Sequence, residues 1–158
     1  MASRRPITKT DYETLASFRY ALRRFLRFTE EGARAAGLTP QQHQLLLAIK
    51  GRPGRSWTSI GELAEALQIR HHTAVGLVDR CEESKLIRRV VYPSDRRQVR
   101  VLLTTKGERI LERLSSRNRR ELETLRRALR LPSLDDSGIA REPRPAQARS
   151  RPRGGSRA

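Results

Sequence analysis

The residues of this sequence that can do chemistry are few, and most of them are cations. Two adjacent histidines, His71 and His72, and a third, His43, offer imidazoles to a metal or to a pH-dependent proton. On a helix, neighbouring side chains point about 100° apart, so His71 and His72 are poorly arranged for one ion. His43 reads as a structural or surface histidine. The single cysteine, Cys81, cannot form an internal disulfide, which fits a reducing cytoplasm. It stands at an apolar helical position, where a cysteine behaves as a small hydrophobe. The sequence has no Gly-rich phosphate loop, no metal-ligand spacing and no nucleophile in a recognisable setting. Neither an enzyme nor a metal or cofactor is expected.

Charge is what remains. Lys and Arg number 34 against 17 Asp and Glu, for a formal net charge of +17. Only +3 of this belongs to Pro132–Ala158, with six Arg and three acids, so the rest of the chain carries +14. Such a surplus repels itself and suits a polyanionic partner. Nucleic acid and an anionic membrane both qualify. No apolar run approaches the ~18 residues of a spanning helix, and MASRRPITKT lacks the apolar core of a secretory signal. Charge alone leaves both open; the residue groups and elements below make double-stranded DNA, and no membrane, the expected partner.

Two groups of residues are candidates for that contact. One is Ser94, Asp95, Arg96 and Arg97, at the tip of a hairpin. From Ser84 to Arg100 there are six Lys or Arg and one acid. An arginine in a narrow minor groove gains from its negative potential. Asp95 would repel phosphate and is better suited to holding an arginine. The other group is Ser59, Arg70, His71, His72, Thr73, Gly76 and Arg80. Histidine and threonine can bond to base edges, and Gly76 permits close approach. The plainer readings are a charged turn and a solvated helix face.

The elements that must position these groups follow from caps and periodicity. Four pairs carry the capping signature: Thr10 with Glu13, Thr39 with Gln42, Ser59 with Glu62 and Thr105 with Glu108. The first helix is expected from Asp11 to Ala36, ended by Gly37, with the stripe Leu15, Phe18, Leu22, Phe25 and Leu26. At ~1.5 Å per residue it is about 39 Å long, too long for a small monomer to cover. Gly32 weakens it. A second helix begins at Thr39 with Pro40 and buries Leu45, Leu46 and Ile49. GRPGRSW is a turn, with Trp57 as a core anchor. Helix three, Ile60 to Leu67, turns Leu63, Ala64 and Leu67 inward. After a turn at Gln68–Arg70, helix four, His71 to Ser84, buries Ala74, Leu77, Val78 and Cys81. His72, Gly76, Asp79 and Glu83 then face outward. Two short helices joined by a tight turn make a helix-turn-helix.

Leu86 to Tyr92 and the alternating Val99, Val101 and Leu103 are strands. The turn PSDRRQ between them, residues 93–98, completes a β-hairpin. A fifth helix runs from Thr105 to as far as Leu131. Beyond Pro132 the composition (four Pro, three Gly, six Arg, no aromatic residue) cannot support a core. The expected architecture is mainly α with a small β-hairpin: a winged helix-turn-helix domain over residues 10–131, with long N- and C-terminal dimerisation helices. A disordered basic tail occupies 132–158.

This order resembles the multiple-antibiotic-resistance regulator (MarR) family of winged-helix repressors. The resemblance is carried by LTPQQHQLLLAI, by IGELAEALQI with TAVGLVDRCEESKLIRR, and by SDRRQVRVLLTTKG. An Asp-Arg-Arg wing tip followed by Leu-Thr-x-x-Gly is its most specific part. It implies a homodimeric transcriptional regulator, with helix four in the major groove and the wing in the minor groove. Arg97 takes the place of the groove-entering arginine. It further implies a small, often phenolic or anionic effector bound between the dimer and DNA lobes. Helix four enters as IRHHT, where many relatives carry a Ser cap, so base preference does not carry over. A sequence-indifferent architectural DNA binder and a protein-interaction module are the alternative functions.

Overall fold

Caps fix where the helices of this chain begin, and two of the four lie where the sequence puts them. The computed structural model describes residues 6–92 and 95–129 of the 158. Its elements are α1 (Lys9–Ala35), α2 (Pro40–Lys50), β1 (Trp57–Thr58), α3 (Ile60–Ala66), α4 (His71–Glu83), β2 (Ile87–Tyr92), β3 (Asp95–Leu103) and α5 (Thr105–Ala128). At α2, Thr39 accepts from the Gln42 amide at 3.1 Å while its own amide donates to Gln42 Oε1 at 2.9 Å. Ser59 and Glu62 close the same reciprocal box at α3.

The other two caps correct the expectation. Helix α1 starts earlier, at Lys9, because Thr8 is its cap: the Thr8 amide donates to Asp11 Oδ2 at 2.8 Å. Thr10 lies inside the helix, and its carbonyl accepts from the Thr14 hydroxyl. At α5 the cap is Thr104, not Thr105. Its Oγ1 accepts from the Gly107 amide at 3.1 Å and donates to the Lys85 carbonyl at 2.7 Å. Glu108, expected to complete a box, pairs with Lys50 Nζ at 2.8 Å. Gly107 is required by packing, since a Cβ there would lie 2.1 Å from the Leu86 carbonyl oxygen.

Three helices end alike. After α1, Gly37 is left-handed at φ 78°, its amide donates to Arg34, and the Leu38 amide donates to Ala33. Gln68 (φ 54°) with Ile69 repeats this after α3, and Lys85 (φ 58°) with Leu86 after α4. Each is the paired-bond C-terminal motif that satisfies the last carbonyls and turns the next apolar residue inward.

The core joins α2, α3, α4, the sheet and the start of α5. Leu45, Leu46, Ile49, Leu63, Val78, Cys81, Leu86, Ile87 and Val101 are almost wholly buried. The inward face expected of α4 is the one observed. The sheet has the order β1-β3-β2, all antiparallel. Its edge strand β1 pairs Trp57 with Leu102 and Thr58 with Val101, a third strand the sequence reading lacked. Trp57 is not a core anchor. It is half-buried, with the Arg55 and Arg100 guanidiniums 4.2 and 4.1 Å from its ring centroid, while Thr58 is the buried residue.

The expected turn over residues 93–98 is also corrected. Strand β3 begins at Asp95, and Tyr92 pairs with Asp95, with an irregularity between Val91 and Tyr92. Backbone pairing needs no apolar side chain, so the ladder continues past the apolar stretch into the charged one. Pro93 and Ser94, Leu131 and the tail 132–158 lie outside the described residues. Helix α1 lies along α5. Gly32 is buried there, and its missing side chain leaves room for Arg117, whose guanidinium stacks on Phe28. No helix among the described residues is long and apolar enough to cross a membrane.

Candidate nucleic-acid interface

Helix α4 is amphipathic in a way that leaves one narrow face free. Burial of Ala74, Leu77, Val78 and Cys81 fixes its rotation. His71, His72, Thr73 and Arg80 are then exposed, and Gly76 is half-buried. Arg70 is the helix cap and makes no side-chain cap bond, so it too is exposed at the entry to the helix. Gly76 has a neighbour that the sequence did not suggest: the Arg80 guanidinium folds back to 3.5 Å from where a Cβ would stand. Thr73 and Arg80 also line a groove shared with Gln41 and Gln44 of α2.

Ser59 behaves differently from the rest of its group. Its hydroxyl caps α3, accepting from the Glu62 amide at 3.3 Å and donating to Glu62 Oε2 at 3.1 Å. Burial alone would raise the Glu62 pKa. The Ser59 amide, Arg55, Thr58 and the Ser59 hydroxyl outweigh it with hydrogen bonds and bring it down to about 2. Arg52 stands 3.5 Å from the same carboxylate. One acid thus anchors two arginines beside the β1 edge.

The acids of α4 are anchored as well. Asp79 and Glu82 both accept from the Arg89 guanidinium of β2, and Glu82 also accepts from the Arg89 amide at 3.0 Å. Sequence reasoning placed Asp79 on the outward face and missed its partner. The only available signal was a surplus of arginine on the following strand. Asp95, Arg96 and Arg97 form the start of β3 at the far end of the hairpin, and Ser94 lies outside the described residues.

A second feature lies on the α1 side of α2. A cavity of about 620 Å³ opens between α1, α2 and α5, lined by Phe25, Leu26, His43, Leu47, Asn118 and Leu122 among others. His43 is buried, and burial lowers its pKa. Its Nε2 and the Asn118 Oδ1 are buried without a hydrogen-bond partner among the described residues. Cys81 is buried in the core, which pushes its thiol up to about 11 and leaves it unreactive. Among the described residues, no three His, Cys, Asp or Glu side chains come together as a metal site.

A family model described as MarR family matches residues 36–98. An uncharacterised HTH-type transcriptional regulator of Bacillus subtilis (strain 168), YsmB, is 34% identical over 67 residues, 42% of this chain and 46% of that protein. The match therefore spans less than half of that relative. A MarR family protein from Bacillus stearothermophilus superposes with a TM-score of 0.67 at 26% identity, over 77% of this chain and 83% of that one. A mutant of S. aureus MepR bound to an oligodeoxyribonucleotide gives 0.59 at 24% identity, over 82% and 88%. The likeness to MepR is one of fold.

Proposed function

We propose that the chain is a member of the MarR family, matched over residues 36–98 and in the fold around them, and that it is a cytoplasmic, homodimeric regulator of transcription that binds double-stranded DNA sequence-specifically, as a repressor. One observation carries the reading. The first turn of α4 is exposed and carries Arg70, His71, His72 and Thr73, with no acid among them, while the opposite face is buried. A helix so presented fits a major groove. Its backbone amides, free of a side-chain cap, suit a phosphate. Arg96 and Arg97, at the start of β3, are the residues proposed for the adjacent minor groove. Lys and Arg elsewhere supply affinity, and these few residues supply preference.

Dimerisation through α1 and α5 is supported by the apolar residues that α1 leaves in solvent, Tyr12, Leu15, Phe18 and Leu26. The cavity that Leu26 helps to line suits a small effector, with His43 Nε2 and Asn118 Oδ1 as hydrogen-bonding groups without a partner among the described residues.

Selection of bound sequences from randomised duplexes tests the reading. It should return a pseudo-palindrome with half-sites about 10 bp apart centre to centre. Recovery of unenriched sequence would favour the architectural binder. Within that complex, Arg97→Ala should weaken binding strongly and Arg97→Lys should restore only part, because a planar, weakly hydrated guanidinium enters a narrow groove more readily than an ammonium. Full restoration by lysine would reduce the contact to phosphate neutralisation.

A further inference from the structure

Arg89 belongs to neither group of candidate contact residues, yet three hydrogen bonds from one helix converge on it. Its amide donates to Glu82 Oε1 at 3.0 Å, its Nη1 donates to Glu82, and its Nη2 donates to Asp79. The residue sits in β2 opposite Val101 of β3, which is wholly buried, so its backbone is held firmly. Its side chain is 26% exposed, against 50% for Asp79 and 38% for Glu82. Partners this exposed contribute little to stability. What the arrangement does instead is geometric and electrostatic. It ties the strand that leads into the wing to the helix that carries His72 and Thr73. It also offsets one of the two carboxylate charges on a helix whose proposed partner is a polyanion, within the ~8–10 Å over which salt leaves charges visible to one another.

We propose that Arg89 is a positioning and specificity-determining residue, which locks β2 against α4 and offsets one of the two negative charges of Asp79 and Glu82 so that helix and wing engage one duplex in a fixed relative orientation. The inference rests on the DNA-binding reading above. A guanidinium can span two carboxylates where an ammonium offers a point charge, so lysine is a poor substitute. Arg89 touches no base in this account. It acts through α4 and the hairpin.

The test compares wild type with Arg89→Met, Arg89→Lys and a triple variant, Arg89→Met with Asp79→Asn and Glu82→Gln. Each is titrated with the duplex that wild type selects from randomised DNA and with a scrambled duplex of the same composition, after thermal melting confirms folding. Arg89→Met should lower the ratio of selected to scrambled affinity by about tenfold, the scale of coupling inside an ion-pair network. Arg89→Lys should recover only part of it. The triple variant, one unit more positive there than wild type, should bind scrambled DNA at least as tightly as wild type but not regain the ratio, since the repelling carboxylates are gone and so is the tie. If Arg89→Met does not fold, Arg89→Lys and Asp79→Asn with Glu82→Gln carry the same comparison. A ratio that Arg89→Met and Arg89→Lys leave unchanged, or that the triple variant restores, overturns the proposal. A wild type that prefers no sequence removes the regulator reading and this inference with it. A wild type whose preference the variants share removes the inference alone.

Discussion

The lobe from α2 to β3 and the paired helices α1 and α5 start from the same kind of pattern and finish differently. In the lobe, the main apolar stripes meet one another: Leu45, Leu46 and Ile49 of α2 pack with Leu63, Val78, Ile87 and Val101 at almost zero exposure. Along α1, the stripe is met only toward its end. Its buried residues are Gly32 and Ala33, while Tyr12 and Leu15 remain about 60% exposed (61% and 59%). Helix α5 divides in the same way, with Leu111 and Leu114 buried near the lobe and Leu122, Leu125 and Leu129 half-buried beyond it. The lobe is a finished interior. The far ends of the two long helices are a surface that wants an occupant, for which a second copy is proposed.

The strongest way to break that comparison is to open the interior. Leu46→Ala should cost about 2–5 kcal/mol, read as a fall in urea midpoint, and a smaller loss than 1 kcal/mol would mean that the lobe is loosely packed. Next comes the joint between the two regions. Gly107→Ala pushes a methyl against the Leu86 carbonyl, and backbone shifts of this kind cost about 1–3 kcal/mol. Phe18→Glu should change the lobe itself by no more than about 0.5 kcal/mol. It should, however, abolish the dependence of melting temperature on protein concentration expected of wild type, because association stabilises by mass action. A folded wild type that sediments as a monomer at micromolar concentration would remove the dimer. The smallest effect concerns pH. Burial holds the native His43 pKa below its ordinary 6.5, so the unfolded chain binds the proton first. Its contribution to stability is therefore complete above pH 6.5 and falls as pH drops from there toward the depressed value. His43→Gln should flatten that limb of the urea-midpoint profile, and parallel profiles would show that His43 does not set it.

Local chemistry was legible in the sequence where it is complete within a few residues. The boxes at Thr39–Gln42 and Ser59–Glu62, the glycine at Gly37, and the buried face of α4 all belong to this class. Where the local signal had a competitor, the wrong one was chosen. Asp11 can close a box as Glu13 can, so Thr8 rather than Thr10 caps α1. Thr104 and Thr105 are equivalent until the carbonyls of Lys85 and Leu86 select one. Nothing marks Gln68 and Lys85 as left-handed, because tertiary packing of Ile69 and Leu86 imposes what glycine usually supplies. Long-range partners were invisible. Trp57 looked like core because one of its two guanidinium neighbours, Arg100, and its pairing with Leu102 come from a strand far along the chain. The same reason hid Arg89 from Asp79, which stands ten residues earlier on a different element.

The account stands on sequence-specific DNA binding, and a competition titration reaches it most directly. Protein bound to its selected duplex is challenged with unlabelled selected DNA and with a scrambled duplex of equal length, across a series of salt concentrations. The scrambled duplex should need a roughly thousandfold higher concentration, or more, to displace half the complex. Affinity for both should fall steeply and linearly with the logarithm of salt. Equal displacement by the two duplexes would contradict sequence reading, and a flat salt response would contradict DNA as the partner.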